Sequence, residues 1–169
     1  FNGHATTIWN AEISADGKYA VSTAFNKTFL LWDLYEGKIV EHMRGHEDVT
    51  LTACFSKNNK MIASGSNDNT IKIWDLESRE LIQTFYGPTE DIYDVAFGPN
   101  SDLVAAASAE KTIRIYSVEE KKLVHILKGH RAVVRKVDFS PNGAYLVSAS
   151  EDNALILWDV SKGEKIHPF

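Results

Sequence analysis

The feature that most constrains this chain is an internal repeat. Gly3-His4 recurs as Gly45-His46, Gly87-Pro88 and Gly129-His130, each 42 residues after the last. Trp32-Asp33 recurs at the same spacing as Trp74-Asp75, Tyr116-Ser117 and Trp158-Asp159. A third marker pairs an apolar residue with a small one: Ile13-Ser14, Phe55-Ser56, Phe97-Gly98 and Phe139-Ser140. Three markers in one register define a repeat architecture, whose units bury their apolar faces against each other.

Within each copy the pattern is β. In the second copy, runs starting at Leu51, Met61, Ile71 and Leu81 are short and rich in β-branched, aromatic and small residues. Turn chemistry fills the gaps. Asp16-Gly17 and Asn142-Gly143 tolerate positive φ, and 57–60 and 99–102 fill the same gap in the other copies. Between the last two runs lie Glu36-Gly37, Glu77-Ser78, Glu119-Glu120 and Lys162-Gly163, also expected as turns. Helical periodicity of useful length is absent. The expected fold is all-β, with four units of four antiparallel strands at about 3–44, 45–86, 87–128 and 129–169.

Gly-His, four strands and Trp-Asp at this period resemble the WD-repeat family, and the resemblance covers the whole chain. It implies β-propeller blades set radially about a channel, usually closing with seven or eight. It also implies a His–Ser–Asp–Trp hydrogen-bonded chain in each blade. By resemblance the second copy supplies His46, Ser64, Asp68 and Trp74, and the fourth His130, Ser148, Asp152 and Trp158. The first has His4, Ser22, Asn26 and Trp32, with an amide that can still accept from the His ring. The third has Pro88, Ala106, Glu110 and Tyr116. Its polar chain is therefore expected to be lost, leaving a blade held by apolar packing and the least stable of the four.

Partners of such propellers often bind the top face. Positions there that vary between copies are the candidates. One slot on the first strand holds Trp9, Leu51, Tyr93 and Arg135; another, just before the tetrad acid, holds Phe25, Asn67, Ala109 and Glu151. Trp, Tyr and Arg are enriched at binding hot spots. Trp9, Phe25 and Tyr93 are the expected anchors, with Arg135 and Glu151 as polar specificity groups. Packing between blades is the competing reading for Trp9 and Tyr93. For Phe25 it is weaker, because the other copies need no aromatic there.

Other function classes fare poorly. No metal ligation is expected, since the tetrads account for His4, His46 and His130; His42, His125 and His167 are expected at or near last strands and exposed. A Ser-His-Asp triad fails for lack of a nucleophile turn such as G-x-S-x-G. No phosphate-binding glycine loop is present, so neither cofactor nor enzymatic activity is expected. A net charge of −5 argues against broad nucleic-acid binding. Nothing approaches the roughly 18 apolar residues of a membrane helix, and no signal-peptide pattern is present. Cys54 is the single cysteine, expected to be buried and suggesting a cytoplasmic or nuclear setting.

The expected function is therefore an interaction scaffold or adaptor for proteins or peptides. A regulatory domain of a larger switch protein and a structural part of a large assembly are the alternatives. The chain starts at Phe1, in the register of Met43, Phe85, Leu127 and Phe169. It is expected to be a piece of a longer propeller, ahead of a half-propeller that pairs with a second copy and of a four-blade ring.

Overall fold

A computed structural model describes residues 3–168, with the backbone alone for 167 and 168. The register expected for Phe1 and Phe169 lies outside the described residues, as does the side chain of His167. The first blade is β1 (Ile8–Ile13), β2 (Tyr19–Ala24), β3 (Thr28–Asp33) and β4 (Lys38–Arg44). The second is β5 (Thr50–Phe55), β6 (Met61–Ser66), β7 (Ile71–Asp75) and β8 (Leu81–Phe85). The third is β9 (Ile92–Phe97), β10 (Leu103–Ser108), β11 (Thr112–Ser117) and β12 (Lys122–Lys128). The fourth is β13 (Val134–Phe139), β14 (Tyr145–Ser150), β15 (Leu155–Asp159) and β16 (Glu164–Pro168). Each blade is an antiparallel meander in chain order, and the described residues contain no helix.

The repeat markers have steric and hydrogen-bonding causes. A Cβ on Gly3, Gly45 or Gly129 would meet the ring of Trp32, Trp74 or Trp158 at 2.7, 2.8 and 3.0 Å, so glycine there makes room for the indole. Ser14, Ser56 and Ser140 each accept the main-chain N–H that opens the next strand, from Tyr19 at 2.9 Å, Met61 at 2.8 Å and Tyr145 at 3.0 Å. The turn between the first two strands carries a left-handed residue in every copy: Gly17, Asn59, Ser101 and Gly143. In the turn before the last strand, that residue is Gly37, Arg79, Lys121 and Gly163. It falls one position after the Ser78 and Glu120 of the expected turn pairs, because nothing in the residue types at 78–79 or 120–121 marks it.

Two β-bulges recur in every blade. One falls just before the Trp slot, at Leu31/Trp32, Ile73/Trp74, Ile115/Tyr116 and Leu157/Trp158. The other interrupts the pairing of the first strand. It leaves Trp9, Leu51, Tyr93 and Arg135 without a partner on the second strand. A bulge re-aims the unpaired side chain. It does so here at the slot that sequence variation had picked out.

The core is divided into three clusters, one per junction between successive blades. At the first junction Val21, Phe29, Leu31 and Met43 meet Ala53, Phe55, Ile62 and Trp74. Phe29 lies edge-on to Trp74 with centroids 5.5 Å apart. The two outer faces are bare. Ile8 is 55% and Ile13 61% exposed, whereas their counterparts in the later blades are buried. On the fourth blade Val147 and Leu155 are exposed, whereas Val21, Ala63 and Ala105, and Phe29, Ile71 and Ile113, are buried in the same slots. A four-blade ring would bury both faces, so the chain forms an open arc.

Candidate functional site

The blade tetrads come first, because they fix the edge on which the candidate contact residues stand. In the second blade Trp74 Nε1 donates to Ser64 Oγ at 2.9 Å. Ser64 Oγ lies 2.8 Å from His46 Nε2, and His46 Nδ1 lies 2.8 Å from Asp68. One proton order satisfies every atom: indole to hydroxyl, hydroxyl to Nε2, and Nδ1–H to carboxylate. The fourth blade repeats it, with 2.8, 2.7 and 2.9 Å along Trp158, Ser148, His130 and Asp152. Burial is the largest single influence and pushes both carboxyls up, but several hydrogen bonds together outweigh it and hold them well below the usual carboxylate range. For Asp68 these are hydrogen bonds from His46 and Thr70, and for Asp152 those from the Arg131 amide and His130.

The first blade keeps two of the three links of this chain. Trp32 Nε1 donates to Ser22 Oγ at 2.7 Å, and Ser22 Oγ lies 2.6 Å from His4 Nε2. The expected His4–Asn26 bond is not present among the described residues. Asn26 Oδ1 instead accepts from the amide and hydroxyl of Thr28 at 3.1 and 3.3 Å. Asp68 gives one oxygen to Thr70 and the other to His46, whereas Asn26 has a single acceptor oxygen, which Thr28 occupies, and an NH2 group in place of the second.

The third blade corrects the expectation of apolar packing alone. Glu110 accepts from Thr112 Oγ1 at 2.5 Å, Arg114 Nε at 3.0 Å, and Thr89 Oγ1 and N at 2.8 and 2.9 Å. Burial raises its carboxyl, but the bonds from Thr112, Arg114 and Thr89 outweigh it and lower the pKa to about 2. Tyr116 stacks on Phe85 with centroids 4.6 Å apart, and burial drives its hydroxyl up to about 12. A different polar network has replaced the tetrad. The longer Glu side chain reaches Arg114, which a tetrad aspartate would not.

On this edge the bulged residues converge. Trp9, Leu51, Tyr93 and Arg135, one from each blade, line a single cleft of about 450 Å³ together with Phe25, Asn67 and Asp91. Trp9 is 58% and Phe25 56% exposed, and their rings lie 6.5 Å apart. Trp9 is therefore not packed between the described blades. Tyr93 is half-buried, with the Arg135 guanidinium 3.9 Å over its ring. Arg135 Nε donates to Glu151 at 2.8 Å, and Nη2 reaches the same oxygen. All five candidate residues therefore belong to one assembly: four line the cleft, and Glu151 is tied to it through Arg135.

Below the rim runs a polar ladder that the sequence reading missed. Asn10 donates to Thr52 at 3.3 Å, Thr52 to Asp94 at 3.3 Å, and Lys136 to Asp94 at 2.9 Å. The Val137 amide also donates to Asp94, at 3.0 Å. Burial raises the Asp94 carboxyl, and Lys136 only partly offsets it. A polar residue at the same place of the first strand in all four copies, Asn10, Thr52, Asp94 and Lys136, was the available signal. Among the described residues no group of three His, Cys, Asp or Glu side chains could hold a metal, and no helix is long and apolar enough to cross a membrane. His42 is exposed, His125 half-buried and Cys54 buried.

Radial four-stranded blades, tied by a recurrent Trp–Ser–His–Asp chain and joined face to face, define a β-propeller repeat protein. The family model described as "WD domain, G-beta repeat" matches residues 1–33, 37–75, 79–117 and 121–159, and the chain belongs to the WD40 repeat family. A curated relative, small ribosomal subunit protein RACK1 of Candida albicans, is 42% identical over 41 residues. That similarity covers 24% of this chain and 13% of the relative.

Proposed function

We propose that this chain is a non-catalytic interaction scaffold that holds peptides or folded proteins on the face where its four bulged residues meet. The observation that carries the reading is the convergence itself. Each blade sends its unpaired first-strand residue to the same cleft, and the cleft opens onto two exposed aromatic rings. The tetrads do not need these residues, so the slot is free to vary from blade to blade. Exposed aromatics on a rigid, preorganised frame are what binding anchors require. An intracellular setting, cytoplasmic or nuclear, belongs to the same proposal.

The bare outer faces belong to it too. They carry the residue types that are covered at the three internal junctions, so they suit further blades of the same kind, whether of a longer chain or of a second copy.

The experiment is affinity capture compared across variants. Trp9→Ala/Phe25→Ala should lose partners that Tyr35→Ala, altered at a fully exposed distant turn, retains. Unchanged capture by the cleft variant, with its melting temperature preserved, would overturn the reading.

A further inference from the structure

We infer that the Trp9–Phe25 side of the cleft is a receptor for the guanidinium of an arginine side chain presented by a partner peptide. This inference rests on the proposed function and specifies its ligand. The chain itself displays the mode of recognition on the other side of the cleft. There Arg135 lays its guanidinium on Tyr93 and donates to Glu151. The rest of the cleft lining holds like components without such a pairing: the exposed rings of Trp9 and Phe25, the carboxylate of Asp91 and the amide of Asn67.

The carboxylate is Asp91. Its slot holds Thr7, Val49 and Val133 in the other blades, so the fold does not demand an acid there. It is fixed in place by its own carbonyl, which accepts from the Ala109 amide at 2.9 Å, as Thr7 does from Phe25. Among the described residues its side chain has no ion pair, and the hydrogen bond it accepts comes from its own backbone amide. The other acids around the cleft differ: Asp94 is paired with Lys136, and Glu151 with Arg135. Burial and the nearby Asp48 and Glu90 push the Asp91 carboxyl up, and a cation bonded to it would offset both; the Arg135 and Lys136 cations that also line the cleft are committed to Glu151 and Asp94.

The acceptor is Asn67. Its buried Oδ1 has no hydrogen-bond partner among the described residues, although the residue lines the cleft. An unmet buried acceptor is costly, and a rotation of the Asn67 amide toward the cleft would let an N–H donor from a ligand satisfy it. A planar cation with several donors meets all these demands at once, stacking on an indole while bonding a carboxylate and an amide oxygen. A lysine ammonium supplies a point charge without a stacking plane.

The probe is a set of capped pentapeptides, Gly-Gly-X-Gly-Gly, with arginine, lysine, glutamine or glutamate at X. Trp32, Trp74 and Trp158 are buried, so a change in exposed indole fluorescence reports on Trp9. The arginine peptide should bind saturably, more weakly as salt rises, and better than the lysine peptide. The glutamine and glutamate peptides should not bind. Asp91→Asn should weaken binding about tenfold or more, the loss of one charge-assisted hydrogen bond. Trp9→Ala, read by chemical shifts, should abolish it, while both variants melt as the parent does.

Equal binding of arginine and glutamine peptides, or an unchanged affinity in Asp91→Asn, would overturn the inference. Lysine matching arginine would overturn the guanidinium assignment. If no peptide binds while Trp9→Ala/Phe25→Ala still loses protein partners, this inference falls and the scaffold reading stands. If partners are also retained, both fall.

Discussion

Ser64→Ala is the sharpest test of how the blades hold together. The change removes one oxygen atom, yet that oxygen is the only link between Trp74 Nε1 and His46 Nε2, at 2.9 and 2.8 Å. Both partners are buried, so water cannot replace it. Leaving a buried polar group unmet costs about 1–3 kcal/mol. Two such groups, with His46 still held by Asp68, give an expected loss of about 2–4 kcal/mol. Against a typical stability of about 5–15 kcal/mol, that is a large fraction. With a urea slope of about 2 kcal/mol/M the midpoint should fall by about 1–2 M, read by far-UV circular dichroism. A double-mutant cycle isolates the cause. Trp74→Phe deletes the donor, so Ser64→Ala in that background should cost clearly less than alone. A loss below about 0.5 kcal/mol, or strict additivity in the cycle, would mean that the Ser64 hydroxyl does not tie Trp74 to His46.

The remaining predictions concern acid, turns and assembly. The carboxyls of Asp68, Asp152 and Glu110 are held below their ordinary values in the fold. Their contribution is complete above the unfolded range near pH 4 and is lost as pH falls toward the folded values. Stability should therefore drop between about pH 4.5 and 2, and Glu110→Gln should flatten part of that slope in urea titrations at fixed pH. A parallel slope in that variant would contradict the Glu110 network. Arg79→Gly should leave stability unchanged or raise it by up to about 1 kcal/mol, since Arg79 stands at φ 65°. A clear loss in thermal melts would mean that its side chain matters to that turn. Light scattering on the 18.9 kDa chain should show self-association through the bare end faces. A stable, non-aggregating monomer would mean that those faces do not drive contact with blades of their own kind.

Much of the fold was legible in the sequence because repetition supplies its own controls. Gly45, Ser64 and Trp74 recur with their counterparts, and each proved to be tied to the others by a contact or a hydrogen bond. The third blade was harder to read. Its substitute network draws on Thr89, Thr112 and Arg114, which lie outside the marker positions, so loss of the tetrad looked like loss of all polar support. Asn26 misled for a related reason: Asp68 uses both of its oxygens, one for the threonine two residues on and one for the imidazole, and an amide has only one to give. The candidate site was visible as two variable slots but not as one cleft, since convergence across blades depends on how far each is rotated from the last. The bulge that frees Trp9, Tyr93 and Arg135 is likewise a property of pairing register, not of local residue type. Asp91 could have been found, as the lone acid among Thr7, Val49 and Val133.

Hydrogen exchange of the chain, alone and with a captured partner, tests most directly whether partners bind on the face where the first-strand bulges meet. Slowed exchange is expected in the segments around Thr7–Asn10, Phe25, Asp91–Asp94 and Arg131–Lys136, with the turns at 35–37, 77–80 and 119–121 unchanged. Protection confined to those distant turns, or to the outer strands β4, β8, β12 and β16, would contradict binding on that face.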